Sequence, residues 1–347
     1  MTFRLGVVEG FFGRQWTWQA RRDYAAFLAL QGCNTYVYAP KNDSWLRKQW
    51  QQPFPQAHVD ALSALARHYE TQQIDFGIGL SPFELYKDFS PRNRDFLLAK
   101  VEQINAIGPG TLCVLFDDMM GDLRELARTQ LEIMDFVIRH SSAQRFVICP
   151  TYYSYDPLLV RHFGAQPEHY LEDLGKGLDS GIEIFWTGPQ VISTEYPRPH
   201  LLEVADSLKR KPLLWDNYPV NDAKRLTSFL HLKPARRDPE LKDLTSGHLA
   251  NPMNQSYLSQ LPLYALASMY AGRQAAFAAA CEALCPPLLA QALQQDVERF
   301  QTTGLDSLDA ASKEQLLRKY ESFKHPMAEE VCAWLRGDYT FDPACLT

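Results

Sequence analysis

Short apolar, β-branched runs recur along the chain at a steady interval, and that spacing constrains the fold more than any other feature. The runs are Leu5 to Val8, Thr35 to Tyr38, Phe76 to Leu80, Thr111 to Phe116, Arg145 to Cys149, Ile182 to Phe185, Pro212 to Trp215 and Gly247 to Ala250, with starts about 30 to 41 residues apart. Each interval has room for one helix and two loops. The stretches between them read as amphipathic helices, among them Ala20 to Leu30 before Gly32, Val59 to Glu70, Arg92 to Ile107 and Leu123 to His140. Strands that are continuously apolar, not alternating, belong to a parallel sheet buried on both faces. Eight strand and helix units over about 250 residues predict an α/β fold of the TIM (β/α)8 type. An open doubly wound sheet usually has fewer strands, and the GxGxxG fingerprint that favours it is absent.

Beyond Gln255 the composition shifts to Ala, Leu, Gln and Glu, with helical spacing through Tyr257 to Arg273, Pro287 to Thr302 and Ser312 to Phe323 and a break at Pro286 and Pro287. The expected division is a catalytic barrel over residues 1–255 and a helical C-terminal region over 256–347. The sequence leaves open whether that appendix covers the barrel or forms a separate bundle.

Charge and cysteine usage narrow the function classes. Lys and Arg number 35 against 41 Asp and Glu, a net charge of −6 without blocks of one sign, so neither nucleic acid nor an anionic membrane is an expected partner. Seven cysteines without a CxxC pair fit a reducing compartment better than a disulfide framework. The N-terminus lacks the basic start and apolar stretch of a secretory signal, and no segment approaches 18 uninterrupted apolar residues. A soluble, cytoplasmic protein is expected.

In a TIM barrel the chemistry lies just after each strand. The segments there are EGFFGRQW, APKND, SPF, DDMMGD, PTYYSYD, WTGPQVIS, DNYPVND and NPMN. Tyr38, Tyr153, Tyr155, Trp186 and Trp215 among them would offer faces for sugar rings, and Asp, Asn and Lys partners for hydroxyls, although strand-end tryptophans also cap cores. The sharpest feature is the adjacent pair Asp117 and Asp118, costly to bury for structure alone. On a strand the two would point opposite ways, so that one could reach a leaving group and the other a different part of the ligand. Like charge and partial burial would raise the pKa of one of them, as a general acid needs. The plainer readings are a helix cap or a solvated pair.

Asp117, Asp118 and Asp122 could instead hold a divalent cation, but of the histidines only His248 falls at a strand end, so no metal is expected. A GxSxG elbow and a cysteine with suitable partners are both missing, and no cofactor is expected.

Taken together, GVVEGFFGRQW, NTYVYAPKND, LFDDMMGD, CPTYY, WTGPQVIS, WDNYPVND and ANPMN resemble, in order and spacing, the catalytic domain of glycoside hydrolase family 84, the β-N-acetylglucosaminidases that include the protein O-GlcNAcases. The resemblance spans roughly Leu5 to Asn254 and does not cover the appendix. It implies a retaining, exo-acting enzyme without a nucleophile of its own, in which the substrate's 2-acetamido oxygen attacks the anomeric carbon to form an oxazoline. By position in the motifs, Asp117 would orient the acetamido group and Asp118 would be general acid, then base. Lys41 and the backbone at Gly10 would bind sugar hydroxyls, with Asp222 on the O4 and O6 side and Asn217 near the acetamido group. Tyr153 would hydrogen-bond the acetamido oxygen, Trp215, Cys149, Thr187 and Val191 would wall the methyl pocket, and Asn251 would contact the catalytic region.

Four positions depart from the family pattern: Asn42 where PKDD is usual, Tyr152 where CPTEY has Glu, and Met119 and Met120 after the Asp pair, where an aliphatic residue is more usual. The implied partner is a GlcNAc-bearing glycan or glycoprotein, with oligomeric state open. The alternatives are an endo-acting hyaluronidase- or chitinase-like glycosidase, although the chitinase DxxDxDxE signature is absent from the fourth strand, and a catalytically silent GlcNAc-binding barrel. Lys41 is the one strand-end cation that the sequence places among the carboxylates.

Overall fold

The structure, a computed structural model, describes residues 2–343 and 345. Its strands are β1 (Arg4–Glu9), β2 (Thr35–Tyr38), β3 (Asp75–Leu80), β4 (Thr111–Leu115), β5 (Arg145–Cys149), β6 (Glu183–Trp186), β7 (Leu213–Asp216) and β8 (Gly247–Ala250). They pair in parallel in sequence order, and β8 returns to β1 to close the barrel. Each predicted apolar run is one of these strands to within two residues. The reason is physical: residues such as Val7, Val37, Ile78, Val114 and Ile148 have no exposed surface, because the barrel interior covers one face and the helices the other. Close strand approach demands glycine at position 6, where a Cβ would lie 1.7 Å from the Thr35 carbonyl oxygen.

The barrel floor is polar and closed. Arg4, only 2% exposed, donates to Glu183 at 2.9 Å, to Asp75 at 3.0 Å and to the Thr111 hydroxyl at 3.0 Å, tying four strands together. A second buried pair fixes the first helix, Trp18–Leu30, against β1: Arg21 Nη2 meets Glu9 Oε1 at 2.6 Å, and the Tyr36 hydroxyl also donates to Glu9. Removing one partner of such a buried pair would leave an uncompensated charge at high cost.

The helices Trp18–Leu30, Gln56–Thr71, Pro91–Ile107 and Leu126–His140 follow the sequence expectation closely. Between β5 and β6 two short helices, Pro157–Phe163 and Tyr170–Gly177, replace one long one. After β7 the connection is mostly irregular, with a short helix at Leu241–Leu244.

The C-terminal helices are Gln260–Tyr270, Phe277–Leu284, Pro287–Glu298, Ala310–Glu321 and Pro326–Leu335. The break at Pro286 and Pro287 separates two of them. Their buried residues, including Cys281, Leu289, Tyr320 and Trp334, form a second core that also takes in Phe300 from the turn after Glu298 and Leu230, Leu232 and Met253 from the loops after β7 and β8. The appendix therefore packs on the barrel, which the sequence had left open. Helix Gln260–Tyr270 serves both cores, with Leu263 in the barrel's and Leu261 in the second. Glu330 seals the junction by accepting from the Ser256 hydroxyl at 2.8 Å, Tyr257 N at 3.0 Å and Leu258 N at 2.8 Å. Among the described residues no helix is long and apolar enough to cross a membrane.

Candidate active site

At the C-terminal end of the strands the loops surround a cavity. All the candidate residues line it: Gly10 and Lys41 after β1 and β2; Asp117 and Asp118 after β4; Cys149 and Tyr153 at and after β5; Thr187 and Val191 after β6; Trp215, Asn217 and Asp222 in and after β7; and Asn251 after β8.

The carboxylate pair is not part of a strand, since β4 ends at Leu115. Nor do the two residues alternate across a pleat. Asp118 has φ +56°, a left-handed turn, and both residues line the same cavity. Asp is among the few residues that adopt this conformation at modest cost. Asp117 is buried, with Oδ2 2.5 Å from Lys41 Nζ, while its Oδ1 is buried without any hydrogen-bond partner. A buried acceptor left unmade costs roughly 1–3 kcal/mol, and Asp117 is one of the residues that line the cavity. Asp118 Oδ1 accepts from the Tyr153 hydroxyl at 2.9 Å. Burial first, and the neighbouring Asp117 charge second, push the Asp118 carboxyl above the usual range, with Lys41 and Arg47 opposing.

The opposite wall is an amide network. Asn251 Oδ1 accepts from Gly10 N at 3.1 Å, and its Nδ2 donates to Asn217 Oδ1 at 2.9 Å. Asn217 Oδ1 also accepts from Trp215 Nε1 at 3.0 Å, and its Nδ2 donates to the Val191 carbonyl at 2.8 Å. Gly10 is required there because a Cβ would lie 2.1 Å from Trp215 Cζ2. Lys41 Nζ sits 5.4 Å from the centre of the same indole. Thr187 N donates to the Tyr153 carbonyl at 3.0 Å, joining two loops of the rim. Burial raises the Cys149 thiol well above its usual range. Asp222 accepts from Phe12 N at 2.7 Å, and burial raises its carboxyl to about 6 against that hydrogen bond.

Several expectations need correction. Of the five strand-end aromatics only Tyr153 and Trp215 line the cavity. Tyr38 is buried and donates to Asp43, while Trp186 is buried with its Nε1 on His200 and Tyr155 packed on its edge. Tyr38 and Trp186 face the helices from their strands, and Tyr155, in the loop after β5, packs on Trp186 outside the cavity. His248 likewise faces outward and bonds Asp216 and the Tyr270 hydroxyl. The aspartates of DDMMGD assemble no metal cage: among the described residues no three His, Cys, Asp or Glu side chains are placed to hold an ion. Nor is Lys41 the one cation at the pair, since Arg47 reaches the backbone of both aspartates.

Phe12, Ile192, Val220 and Cys345 also line the cavity and were not singled out. Phe12, Ile192 and Val220 lie inside the strand-end motifs, so their segments were legible. Cys345 arrives from the far end of the chain, and with Phe341 it packs against Phe12 and Ala223. Asp342 meets Asn42 Nδ2 at 2.5 Å, so the neutral residue at 42 faces a carboxylate that an aspartate would repel.

A carboxyl whose pKa is raised by burial and by an adjacent aspartate, at the mouth of a (β/α)8 cavity lined by amides and an indole, is the arrangement of a glycoside hydrolase. Comparison with known proteins makes the class particular. A family model described as beta-N-acetylglucosaminidase matches residues 5–300, and the chain belongs to that family. It is 30% identical over 277 residues to the protein O-GlcNAcases of Mus musculus and Rattus norvegicus, matches that cover 77% of this chain. The chain spans about 30% of the length of those relatives. Among solved structures it resembles a variant of the O-GlcNAc hydrolase of Thermobaculum terrenum, with TM-score 0.78 and 30% identity over 97% of this chain and 75% of that one.

Proposed function

We propose that this protein is a retaining exo-β-N-acetylglucosaminidase of O-GlcNAcase type, hydrolysing terminal β-linked GlcNAc from a glycan or glycoprotein by substrate-assisted catalysis. The observation that carries the reading is the unpartnered Asp117 Oδ1, next to an Asp118 carboxyl whose pKa is raised by burial and by the Asp117 charge. Two adjacent carboxylates cannot flank a sugar as acid and nucleophile. One can hold an acetamido N–H while the other protonates the leaving oxygen.

In the first step the acetamido oxygen of the substrate bonds to the anomeric carbon as the bond to the aglycone oxygen breaks, and Asp118 gives its proton to that oxygen. Asp117 Oδ1 accepts the acetamido N–H, which becomes more acidic as the oxazoline forms. Lys41 holds the other oxygen of Asp117. Tyr153 donates to the acetamido oxygen or to Asp118. In the second step Asp118 takes a proton from water, which attacks the anomeric carbon and opens the ring with net retention. Holding the acetamido group in place supplies the proximity advantage of an intramolecular nucleophile.

Trp215, Cys149, Thr187 and Val191 form the acetyl pocket in this reading, and Asn217 and Asn251 brace it. Asp222 meets the O4 and O6 hydroxyls. Since Gly10 N is already engaged by Asn251, the Gly10 carbonyl is the group left for a sugar hydroxyl. The catalytic unit is the barrel over 1–255, and the helical region 256–347 stabilises it. A reducing cytoplasmic setting fits the absence of disulfides among the described residues. Turnover of an aryl β-GlcNAc, compared with aryl β-GalNAc, aryl β-glucoside and an O-GlcNAc peptide, tests the proposal. Equal rates on the glucoside would remove the substrate-assisted mechanism, and binding without turnover would leave a silent GlcNAc-binding barrel.

A further inference from the structure

Arg47 stands out among the buried arginines of the described residues. It is only 4% exposed, yet no carboxylate pairs with it among the described residues, and its Nε has no hydrogen-bond partner. The other deeply buried arginines, Arg4, Arg21 and Arg237, all have carboxylate partners within 3.0 Å. Burying an unpaired guanidinium is expensive, and a fold selected for stability alone would place an apolar residue here.

The side chain is committed elsewhere. Nη2 donates to the Asp118 carbonyl at 3.0 Å, and Nη1 to the Ser81 hydroxyl at 2.8 Å and, more weakly, to the Asp117 carbonyl at 3.4 Å. The guanidinium lies 5.2 Å from the Phe83 ring centre and 5.8 Å from that of Phe12, so aromatic faces enclose it. The carbonyls it holds flank the left-handed φ of Asp118, the turn that sets both carboxyls toward one cavity.

We propose that Arg47 is a positioning residue for catalysis: it locks the turn at Asp118 and supplies the second positive charge that balances the ionised pair. Lys41 neutralises Asp117, and Arg47 stands opposite the charge that appears on Asp118 each time it releases its proton. When both carboxyls are ionised the four groups sum to zero, so proton release leaves no net buried charge. Leaving the guanidinium without a carboxylate of its own keeps it available for that moment. The proposal rests on the general-acid role of Asp118 given above.

The groups acting on Asp118 are Asp117, which disfavours its ionisation, and Lys41, Arg47 and the Tyr153 hydroxyl, which favour it, with Asp222 across the cavity coupled to it. Removing Arg47 therefore raises the pH at which the acid is lost. The test compares Arg47→Met, which keeps length but not charge, and Arg47→Lys, which keeps charge but not the fork, on aryl GlcNAc substrates with good and poor leaving groups. For Arg47→Met the loss in kcat/KM is expected to be about tenfold or more greater for the poor leaving group, with the alkaline limb of the pH profile moved upward. Arg47→Lys should keep the limb in place and still lose more on the poor leaving group. Equal losses on both substrates with an unmoved limb overturn the proposal and leave Arg47 a brace. If Arg47→Met does not fold, the leaving-group ratio of Arg47→Lys decides alone. Absence of turnover by the unaltered protein would instead defeat the proposed function, a result distinguishable from any of these.

Discussion

Lys41 Nζ lies 2.5 Å from one oxygen of Asp117 and leaves the other oxygen of the same carboxylate buried and unbonded. The lysine thus holds the carboxylate in place without consuming its capacity as an acceptor. Against this, Asp118 is raised in pKa and turned to face the same space. The two aspartates should therefore fail differently when replaced.

Asp118→Asn is expected to lose at least about 100-fold in kcat/KM on a glycoside with a poor leaving group, and far less on an activated dinitrophenyl glycoside. Asp117→Asn should lose a similar factor on both, because the damaged group is the nucleophile's partner. Steady-state kinetics over a series of leaving groups reads the difference. An unchanged ratio for Asp118→Asn would refute its assignment as the acid.

Asp222 carries a stability cost that its removal should reveal. Its carboxyl is raised from 3.8 to about 6, chiefly by burial, so the protonated form favours folding. That favourable contribution is fully present below about pH 4 and is lost as pH rises through about 6. At pH 7 Asp222→Asn, which keeps an acceptor for Phe12 N, should be more stable by up to about 3 kcal/mol and less active. Urea unfolding at pH 4 and pH 7 checks the sign, and the advantage must shrink at the lower pH.

Gly10→Ala places a methyl group in the Trp215 indole, at 2.1 Å from Cζ2. Overpacking of this kind costs about 1–3 kcal/mol, and displacing the indole would break its 3.0 Å bond to Asn217. A lowered Tm and lost activity are expected. Adding Trp215→Phe should restore most of the Tm but not the activity, a coupling that a double-mutant cycle measures.

Glu330 should make the junction between barrel and appendix sensitive to pH. Burial raises its carboxyl to about 7 against the hydrogen bonds from Ser256, Tyr257 and Leu258. The raised value means that its contribution to stability falls as pH climbs through about 7. The urea midpoint of the unaltered protein should drop between pH 5 and 8, with a flatter profile for Glu330→Gln. Glu330→Ala, which leaves three donors without an acceptor, should cost about 2–4 kcal/mol at pH 5.

Legibility differed between fold and site for physical reasons. A strand enclosed on both faces has to be largely apolar, so Thr35–Tyr38 or Thr111–Leu115 announces itself without any knowledge of its neighbours. The loops carrying the cavity residues were legible because they follow those strands. The left-handed turn at Asp118 carries no local signal, and alternation along a strand led to the wrong geometry for the pair. Arg47 lies in an irregular stretch between β2 and helix Gln56–Thr71, and its significance exists only in the contact with residues some 70 positions away. Helices Phe277–Leu284 and Pro326–Leu335 went unmarked, the first being rich in alanine and the second only ten residues long.

Arg4 and its partners plug the floor of the barrel and leave the strand-end mouth as the way in and out of the cavity. A vessel with one mouth imposes a queue. In the proposed reaction the aglycone would stand nearest the exit and have to depart before water could take its place, and the freed sugar would follow last along the path by which it entered. Product GlcNAc should therefore compete directly with substrate, and a bulky, slowly departing aglycone should delay the second chemical step as well as the first.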